Sequence, residues 1–278
     1  MTSILTSGGS GFLGRALVPA LRAAGHTLRT PRHEPLSFEV CDQHSVYKTC
    51  HSSLMREGPI QAVIHLAKDT RDEGNFQTNI LGTAIMVDAT NGGARFIFAS
   101  SIAAPASRDG YEADCLLGEQ IVQARHNIDA VVLRLANCYG PGKPNDRTVL
   151  NQIIRQAISG EPIHLWGDSP AIRDYIFLDD VVSAFLAALD APPGIYDVGT
   201  SVATSLIEAT EEVCRQTGHP LATTGELTYS HAPLADTRKW LPGWEPKVAL
   251  KEGIALTVAA MREEGQKAAA SRKHACVS

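Results

Sequence analysis

Three glycines near the beginning of the chain have the spacing of a loop that holds phosphate groups. They are Gly8, Gly11 and Gly14 in the run Thr-Ser-Gly-Gly-Ser-Gly-Phe-Leu-Gly, residues 6–14. In such a loop the first glycine allows a tight turn, the second lets the backbone approach a pyrophosphate, and the third lets a helix pack closely on a strand. Free N–H groups at the helix N-terminus then face the phosphates. The run predicts a dinucleotide site, and a flexible turn is the plainer alternative.

The elements around this loop predict an α/β fold, a Rossmann doubly wound parallel sheet. Strands are expected at 2–6, 27–30, 37–40, 61–66, 95–99 and 129–135, and helices at 12–24, 43–56, 75–91 and 111–126. Pro19 is expected to cost the first helix a hydrogen bond or to bend it. Right-handed crossovers bring the carboxyl ends of parallel strands to one edge, where ligands bind. Residues 7–14, 30–32, 67–71, 100–101 and 135–139 would therefore surround the site.

After residue 140 the pattern predicts a smaller substrate-binding lobe. Helices are expected at 147–159, 179–189, 205–217 and 250–264, with strands at 162–166 and 174–178. We expect residues 1–140 and 172–198 in the Rossmann domain and residues 141–171 and 199–265 in the lobe. The polar residues 266–278 are expected to form a disordered tail.

Composition favours a globular enzyme. The chain has 278 residues, 44% of them hydrophobic, and a net charge of −5. This balance leaves no basic surface for nucleic acid, and no apolar run is long enough for a membrane span. The six cysteines lack CxxC spacing, which favours a reduced, cytoplasmic protein without a structural metal. We therefore expect a small-molecule substrate and neither a nucleic-acid nor a membrane partner.

Further motifs follow in order along the chain: Val-Ile-His-Leu-Ala at 63–67, Asn-Ile-Leu-Gly-Thr at 79–83, Phe-Ala-Ser-Ser at 98–101, Arg-Leu-Ala-Asn-Cys-Tyr-Gly-Pro-Gly at 134–142 and Arg-Asp-Tyr-Ile-Phe-Leu-Asp-Asp at 173–180. From about residue 3 to 260 the chain resembles extended short-chain dehydrogenase/reductases of the NAD-dependent epimerase/dehydratase type. The resemblance implies an oxidoreductase that uses NAD(P) and acts on a nucleotide sugar.

The resemblance also implies roles for particular residues. Ser101 and Tyr111 are the implied catalytic pair, and Asn137 and Arg173 are the implied contacts of the nucleotide diphosphate. The predicted cofactor-binding positions are Gly8, Ser10, Gly11, Phe12, Leu13, Gly14, Arg15, Leu66, Ala67, Lys68, Asn79 and Ser100. An ion pair of Arg173 with Asp179 or Asp180 is the structural alternative.

One position departs from the family in a way that bears on the chemistry. The family has a lysine four residues after the tyrosine, and this chain has Cys115. The lysine lowers the pKa of the tyrosine and holds the nicotinamide ribose. Without a cation, a phenol with a pKa near ~10 stays protonated at neutral pH, so it is a poor base but a usable acid.

Loss of the lysine therefore favours ketone reduction over alcohol oxidation, because reduction needs an acid. We predict an NADPH-dependent ketoreductase of a nucleotide-linked keto-deoxysugar, with Tyr111 as proton donor. Two alternatives stay open. One is a 4-epimerase or dehydratase with tightly bound NAD, and the other is a catalytically silent dinucleotide-binding protein.

Two further departures surround the tyrosine. Only nine residues separate Ser101 from Tyr111, fewer than is usual in the family, which predicts a more open site or a displaced Tyr111. Tyr111 as a plain core aromatic is the alternative. Lys68 stands where the family has a small residue, so Lys68 or Arg71 is a candidate for the missing positive charge. A solvated loop charge is the plainer interpretation.

The sequence favours NADP(H) over NAD(H). Arg32 stands where the family's NAD-selecting acid would lie, and it could meet a 2′-phosphate together with Arg15. Asp42 matches the family's acid at the adenine amine. The resemblance further implies a homodimer through helices 75–91 and 111–126.

Overall fold

The computed structural model describes residues 1–29, 59–68, 76–90, 93–106, 110–142, 148–163, 165, 172–221 and 238–275. The chain divides into two compact units. The first comprises Met1–Leu135, Val181–Val198 and Thr237–Glu245, and the second comprises Ala136–Asp180, Gly199–Asp236 and Pro246–Ser278. The strand expected at 37–40 and the helix expected at 43–56 lie outside the described residues.

The strands, in chain order, are β1 (Ser3–Ser7), β2 (Thr27–Arg29), β3 (Ala62–His65), β4 (Arg95–Ser101), β5 (Asp129–Leu135), β6 (Asn137–Tyr139), β7 (Ile172–Phe177), β8 (Gly194–Val198) and β9 (Ala203–Ser205). The α-helices are α1 (Phe12–Ala23), α2 (Gly82–Asp88), α3 (Gly110–Ala124), α4 (Val149–Ser159), α5 (Leu178–Ala187), α6 (Leu206–Thr217) and α7 (Leu250–Ala275). A π-helical segment, Phe76–Leu81, leads into α2.

A six-stranded sheet in the order β2-β1-β3-β4-β5-β8 forms the centre of the first unit. Every neighbouring pair is parallel, which confirms the predicted Rossmann fold. The chain first moves from β1 to β2 and later returns to the other side of β1 to form β3. Ligands bind at such a switch point, outside the carboxyl ends of the strands. The glycine run follows β1, and Lys68 follows β3.

The central strands β1, β3 and β4 of this sheet are largely buried on both faces, as a parallel sheet covered by helices requires. All four residues of β3 are buried. Phe96, Phe98 and Val132 are buried in one cluster with Leu5 and Val63. A Cβ on Gly118 of α3 would lie 2.5 Å from Cζ of Phe98. Helix α3 therefore lies directly on the Phe98 ring, and this contact fixes the height of Tyr111 and Cys115 above the sheet.

The second unit has a three-stranded sheet in the order β6-β7-β9. Strand β7 is parallel to β6 and antiparallel to β9. Helices α4, α6 and α7 contribute to its core, which includes Leu150, Ile154, Phe177, Val213 and Ile254. Helix α6 begins with a capping box between Ser205 and Glu208, which satisfies N–H groups at the helix start.

The fold differs from the sequence-based expectation at several places. Residues 136–140 and 172–180 belong to the second unit, because β7 pairs with β6 and β9. Residues 162 and 163 form neither helix nor strand. Helix α7 continues to Ala275, so residues 266–275 are not the expected disordered tail. Alanine, lysine, glutamine and arginine dominate there, and these are strong helix formers.

Helix α1 runs through Pro19 without interruption. The proline is exposed, and the helix is kept by the burial of Leu17 and Leu21 on its other face. In the part of the chain that the structure describes, no helix combines the length and the apolar character that crossing a membrane would require.

Candidate active site

The glycine turn has the shape that the sequence predicts. Gly8 has φ +70, a left-handed conformation that favours glycine, and a Cβ there would lie 2.7 Å from the backbone nitrogen of Ala67. The N–H of Gly11 donates to the carbonyl of Gly8 at 2.9 Å. A Cβ on Gly14 would collide with the carbonyl oxygen of Gly8 and lie 2.5 Å from Cα of Gly9. The turn is therefore packed between the start of α1 and the end of β3.

The N-terminus of α1 is open to an anion. Gly11 is its N-cap, no side chain caps it, and its first turn has no acidic residue. The N–H groups of Phe12, Leu13 and Gly14 precede the first N–H that can bond within the helix, that of Arg15, which donates to Gly11. Such N–H groups and the helix dipole attract phosphate. These residues fit the pyrophosphate of a dinucleotide.

Two residues predicted to select and hold the cofactor, Arg32 and Asp42, lie outside the described residues, as does Arg71. Arg15 is exposed, and its Nε donates to the carbonyl of Ser10 at 3.2 Å. This contact orients Arg15 along the glycine turn.

A buried chain of hydrogen bonds connects β1, β3 and the helix that follows. The N–H of Ala67 donates to Ser7 Oγ at 3.3 Å, and Ser7 Oγ lies 2.6 Å from His65 Nδ1. On the other side of the ring, His65 Nε2 lies 3.1 Å from Thr83 Oγ1, which donates to the carbonyl of Asn79 at 2.6 Å. Because the Thr83 proton is used on Asn79, His65 Nε2 donates to Thr83. Ser7 can donate to Nδ1, so these partners fit a neutral imidazole.

The same conclusion follows from the electrostatics of His65. Burial first, and then the charge of Lys68, lower the pKa of His65 from 6.5 to about 3. In the unfolded chain this histidine takes up a proton below its ordinary pKa, but in the folded protein it does not. The ionisation of this histidine therefore has no effect on stability at neutral pH, and it destabilises the folded protein progressively as the pH falls from about 6.5 toward 3.

We expect the free energy of unfolding to decrease as the pH is lowered below about 6.5, by up to about 1.4 kcal/mol per pH unit from this one group. Urea unfolding at a series of pH values between about 6.5 and 5 measures the slope, and His65→Asn supplies the comparison. The variant should be less stable at neutral pH but should show a smaller slope. An unchanged slope would mean that His65 is not the buried neutral group.

Lys68 reaches from the end of β3 to helix α3. Its Nζ donates to Cys115 Sγ at 3.1 Å. The same nitrogen lies 4.1 Å from the ring centroid of Phe98 and 5.6 Å from that of Tyr111. Cys115 is fully buried. The amino group of Lys68 thus lies between β4 and α3, beside the tyrosine, and these contacts are not those of a solvated loop charge.

Acidic groups compensate part of the cost of placing an amine there. Burial lowers the pKa of Lys68, while Cys115, Glu119 and Asp114 each act to raise it. Asp114 is also the acceptor of a 2.8 Å hydrogen bond from Asn79 Nδ2. Asn79, predicted at the cofactor, therefore holds a carboxylate near Lys68.

Tyr111 is held in its protonated form. Burial, followed by the effect of Cys115 and of Glu112, raises the pKa of Tyr111 well above its ordinary value of 10.0. The phenol can therefore donate a proton at neutral pH and has little tendency to accept one.

The two serines at the end of β4 have different surroundings. The hydroxyl of Ser100 donates to Glu119 Oε1 at 2.5 Å, and Arg134 holds the same buried carboxylate at 2.6 and 2.9 Å. Ser100 therefore connects the strand to α3 through Glu119. The hydroxyl oxygen of Ser101 accepts from the N–H of Ala103 at 3.2 Å. The hydroxyl proton of Ser101 therefore remains available for another acceptor.

Asn137 and Arg173, the predicted diphosphate contacts, lie in the second unit. Arg173 Nη1 donates to Asn137 Oδ1 at 3.3 Å, so β6 and β7 bring the pair together. Among the described residues, Arg173 Nε is buried without a hydrogen-bond partner. Asp180 accepts from the backbone N–H groups of Lys247 and Val248, which is a structural role.

The first unit thus contains the glycine turn with Ser10 to Arg15, and Leu66, Ala67, Lys68, Asn79, Ser100, Ser101 and Tyr111. In the sequence, Phe98 and Thr83 stand out only as members of longer motifs, and Asp114 does not stand out. Asp114 was detectable, because it lies one helical turn after Tyr111 and so shares its face. The contacts of Phe98 with Lys68 and of Thr83 with His65 have no sequence signal, since they join separate elements. Over the described residues, no group of three potential ligands could hold a metal ion.

Comparisons with known proteins identify relatives of the chain by sequence and by fold. A sequence model of the NAD-dependent epimerase/dehydratase family matches residues 4–199. A UDP-glucose 4-epimerase of Mycolicibacterium smegmatis is 30% identical over 94% of this chain and 99% of its own length. The structure of a Thermotoga maritima UDP-glucose 4-epimerase with UDP-glucose superposes with a TM-score of 0.76, at 25% identity over 95% of this chain and 99% of that one.

The chain belongs to the NAD-dependent epimerase/dehydratase family. It is an NAD(P)-dependent enzyme of the extended short-chain dehydrogenase/reductase type, in a family that acts on nucleotide sugars. A nicotinamide dinucleotide is its cofactor class. The fold is shared with more distant proteins, such as the Pseudomonas aeruginosa protein RMD in complex with NADPH, which has a TM-score of 0.74 at 22% identity over 94% of this chain and all of that one.

Proposed function

We propose that the enzyme reduces a ketone on a nucleotide-linked keto-deoxysugar, with Tyr111 as the proton donor. The raised pKa of Tyr111 carries this proposal, because it keeps the phenol protonated at neutral pH. A family member that begins by oxidising an alcohol needs a base at this position, and Tyr111 is poorly suited to that role. Cys115 leaves helix α3 without the lysine that would lower the pKa.

In this proposed reaction each residue of the site has a defined role. Tyr111 gives its proton to the carbonyl oxygen, and Ser101 donates a hydrogen bond to the same oxygen. The glycine turn and the open N-terminus of α1 hold the pyrophosphate of the cofactor. When bound in its reduced form, the dinucleotide supplies the hydride for the carbonyl carbon. The ketone becomes an alcohol, and the tyrosine is left as a phenolate that regains a proton from solvent.

For the cofactor we propose NADP(H). Arg15, exposed beside the glycine turn, supports this choice as a cation within reach of a 2′-phosphate. The P. aeruginosa protein RMD, which has the same fold, was solved with NADPH. For the substrate, the guanidinium of Arg173 beside Asn137 supports recognition of a nucleotide diphosphate.

A nucleotide-sugar 4-epimerase with bound NAD is the second candidate. The M. smegmatis relative supports it, because that protein is a UDP-glucose 4-epimerase and aligns over nearly its whole length. Lys68 supports it as well, since its amino group lies near the Tyr111 ring.

Cofactor consumption distinguishes the two candidates. Purified enzyme is mixed with NADPH or NADH and with a UDP- or dTDP-linked 4-keto-6-deoxyhexose, and absorbance and product are followed together. We expect one molecule of NADPH consumed for each alcohol formed. Interconversion of UDP-glucose and UDP-galactose without net cofactor change would instead support the epimerase. Neither reaction, with the dinucleotide bound but unchanged, would support a silent binding protein.

A homodimer through the two implied helices stays a prediction. Leu81 and Leu117 support it, because both are exposed large apolar side chains on these helices. A charged residue introduced at either leucine should disrupt the dimer. The mass of the protein in solution, measured with and without the change, tests this.

A further inference from the structure

We propose that Lys68 takes the place of a lysine on the tyrosine's own helix, and that Cys115 is the acceptor that holds its amino group beside Tyr111. The inference rests on the proposed function, because a cation beside Tyr111 affects turnover only if Tyr111 transfers the proton. In this arrangement Lys68 is a positioning residue that acts through the tyrosine.

Three distances carry the proposal. Lys68 Nζ lies 3.1 Å from Cys115 Sγ, within hydrogen-bond range for sulfur. It lies 4.1 Å from the Phe98 ring centroid, at the distance of a cation–π contact. It lies 5.6 Å from the Tyr111 ring centroid. A lysine whose amino group extended into bulk solvent would not make these three contacts, and such contacts compensate part of the cost of burying a charge.

The backbone below Lys68 is itself fixed. The N–H groups of Leu66 and Ala67 donate to the carbonyl and the hydroxyl of Ser7. Gly8 lies so close to this segment that a Cβ there would be 2.8 Å from the carbonyl carbon of Leu66. The side chain of Lys68 therefore starts from a defined position at the switch point, and a lysine on this loop can replace one on the helix.

The charge acts where the reaction develops negative charge. When Tyr111 gives up its proton it becomes a phenolate, and a cation near an acid favours its ionised form. Lys68 would lower the free energy of that state without being a proton donor itself. Asp114 and Glu119, both on helix α3, act to raise the pKa of Lys68 against the effect of burial and so favour its charged form.

The position of Cys115 follows from the same geometry. A lysine at 115 would place a second amino group against Lys68 in a buried space, where like charges repel. The small thiol leaves room for the Lys68 side chain and accepts its hydrogen bond. The site therefore has room for one amino group, and a lysine at either position 68 or position 115 can supply it.

A swap of the two residues tests the proposal. Lys68→Met should lower kcat for ketone reduction by about 10-fold or more, because an opposite charge at this distance shifts a pKa by about one to three units. It should also move the alkaline limb of the pH profile to higher pH. The double variant Lys68→Ala with Cys115→Lys should recover at least about tenfold over Lys68→Ala, while Cys115→Lys alone should be impaired.

Lys247→Met is the matched control, because Lys247 is exposed in the second unit and its change should leave kcat as in the wild type. A Lys68→Met variant with the wild-type kcat and pH profile would overturn the proposal. So would a folded swap variant that is no more active than Lys68→Ala.

A readout without turnover separates this proposal from the proposed function. In a double-mutant cycle of Lys68→Met and Cys115→Ala, measured by urea unfolding without dinucleotide, the cost of Cys115→Ala should largely vanish in the Lys68→Met background. Full additivity would contradict the pairing, whatever the enzyme does. Strong coupling in a protein that reduces no keto sugar would keep the pairing and reject only the ketoreductase function.

Discussion

Replacement of Tyr111 by phenylalanine is expected to lower kcat for ketone reduction by about 10²- to 10⁴-fold, the usual contribution of a general acid. The change removes only the hydroxyl, so the packing of the ring beside Lys68 is retained. The KM for the keto sugar should change little, because the proton is transferred in the transition state and is not needed to bind the substrate. Steady-state kinetics with saturating NADPH measures both quantities.

Tyr196→Phe is the matched control in the same unit. Tyr196 donates to the carbonyl of Pro192 at 2.9 Å, and its loss should cost some stability but no turnover. If Tyr111→Phe kept kcat within about threefold of the wild type, well short of a general acid's contribution, Tyr111 would be a core aromatic and another acid would have to be sought.

The second large effect is expected at the glycine turn. Gly14→Ala should weaken dinucleotide binding by at least about tenfold and lower stability by roughly 1–3 kcal/mol, the usual cost of overpacking. The added methyl meets the backbone of Gly8 and Gly9, which cannot move aside without deforming the phosphate-binding turn. Quenching of protein fluorescence by NADPH and urea unfolding measure the two effects.

Gly265→Ala shows what the same substitution does without the clash. Gly265 lies in helix α7, and a Cβ there meets nothing within 4 Å. Alanine should stabilise that helix by up to about 1 kcal/mol and leave dinucleotide binding unchanged. Equal effects of the two substitutions would mean that close packing at Gly14 is not what shapes the turn.

The sequence predicted the parallel sheet because its strands are long apolar runs that each precede a turn or a helix. It predicted the glycine turn because only glycine tolerates the close approach of the backbone at positions 8 and 14. Strands β6 and β9 were not predicted, since each has three residues and forms only by pairing with β7. Strand β8 was missed because its partner, β5, is remote in sequence.

The candidate site was predictable as a set of residues but not as a geometry. The absence of a lysine at 115 and the presence of one at 68 can both be read from the chain. That the two positions meet depends on the height of α3 above β4, which the contact between Gly118 and Phe98 sets. Likewise, nothing in the order of residues shows that Ser100 bonds to Glu119, because that pairing needs strand and helix in register.

The first unit is made from three separate stretches of chain, and this affects how it folds during synthesis. Strand β5 ends at Leu135, but its outer neighbour β8 begins only at Gly194. Translation proceeds at about 5–20 residues per second, so the outer side of β5 in the nascent sheet stays unpaired for on the order of several seconds. An uncovered edge strand pairs readily with other chains. We therefore expect β5 to be open to pairing with other chains during the interval before β8 emerges.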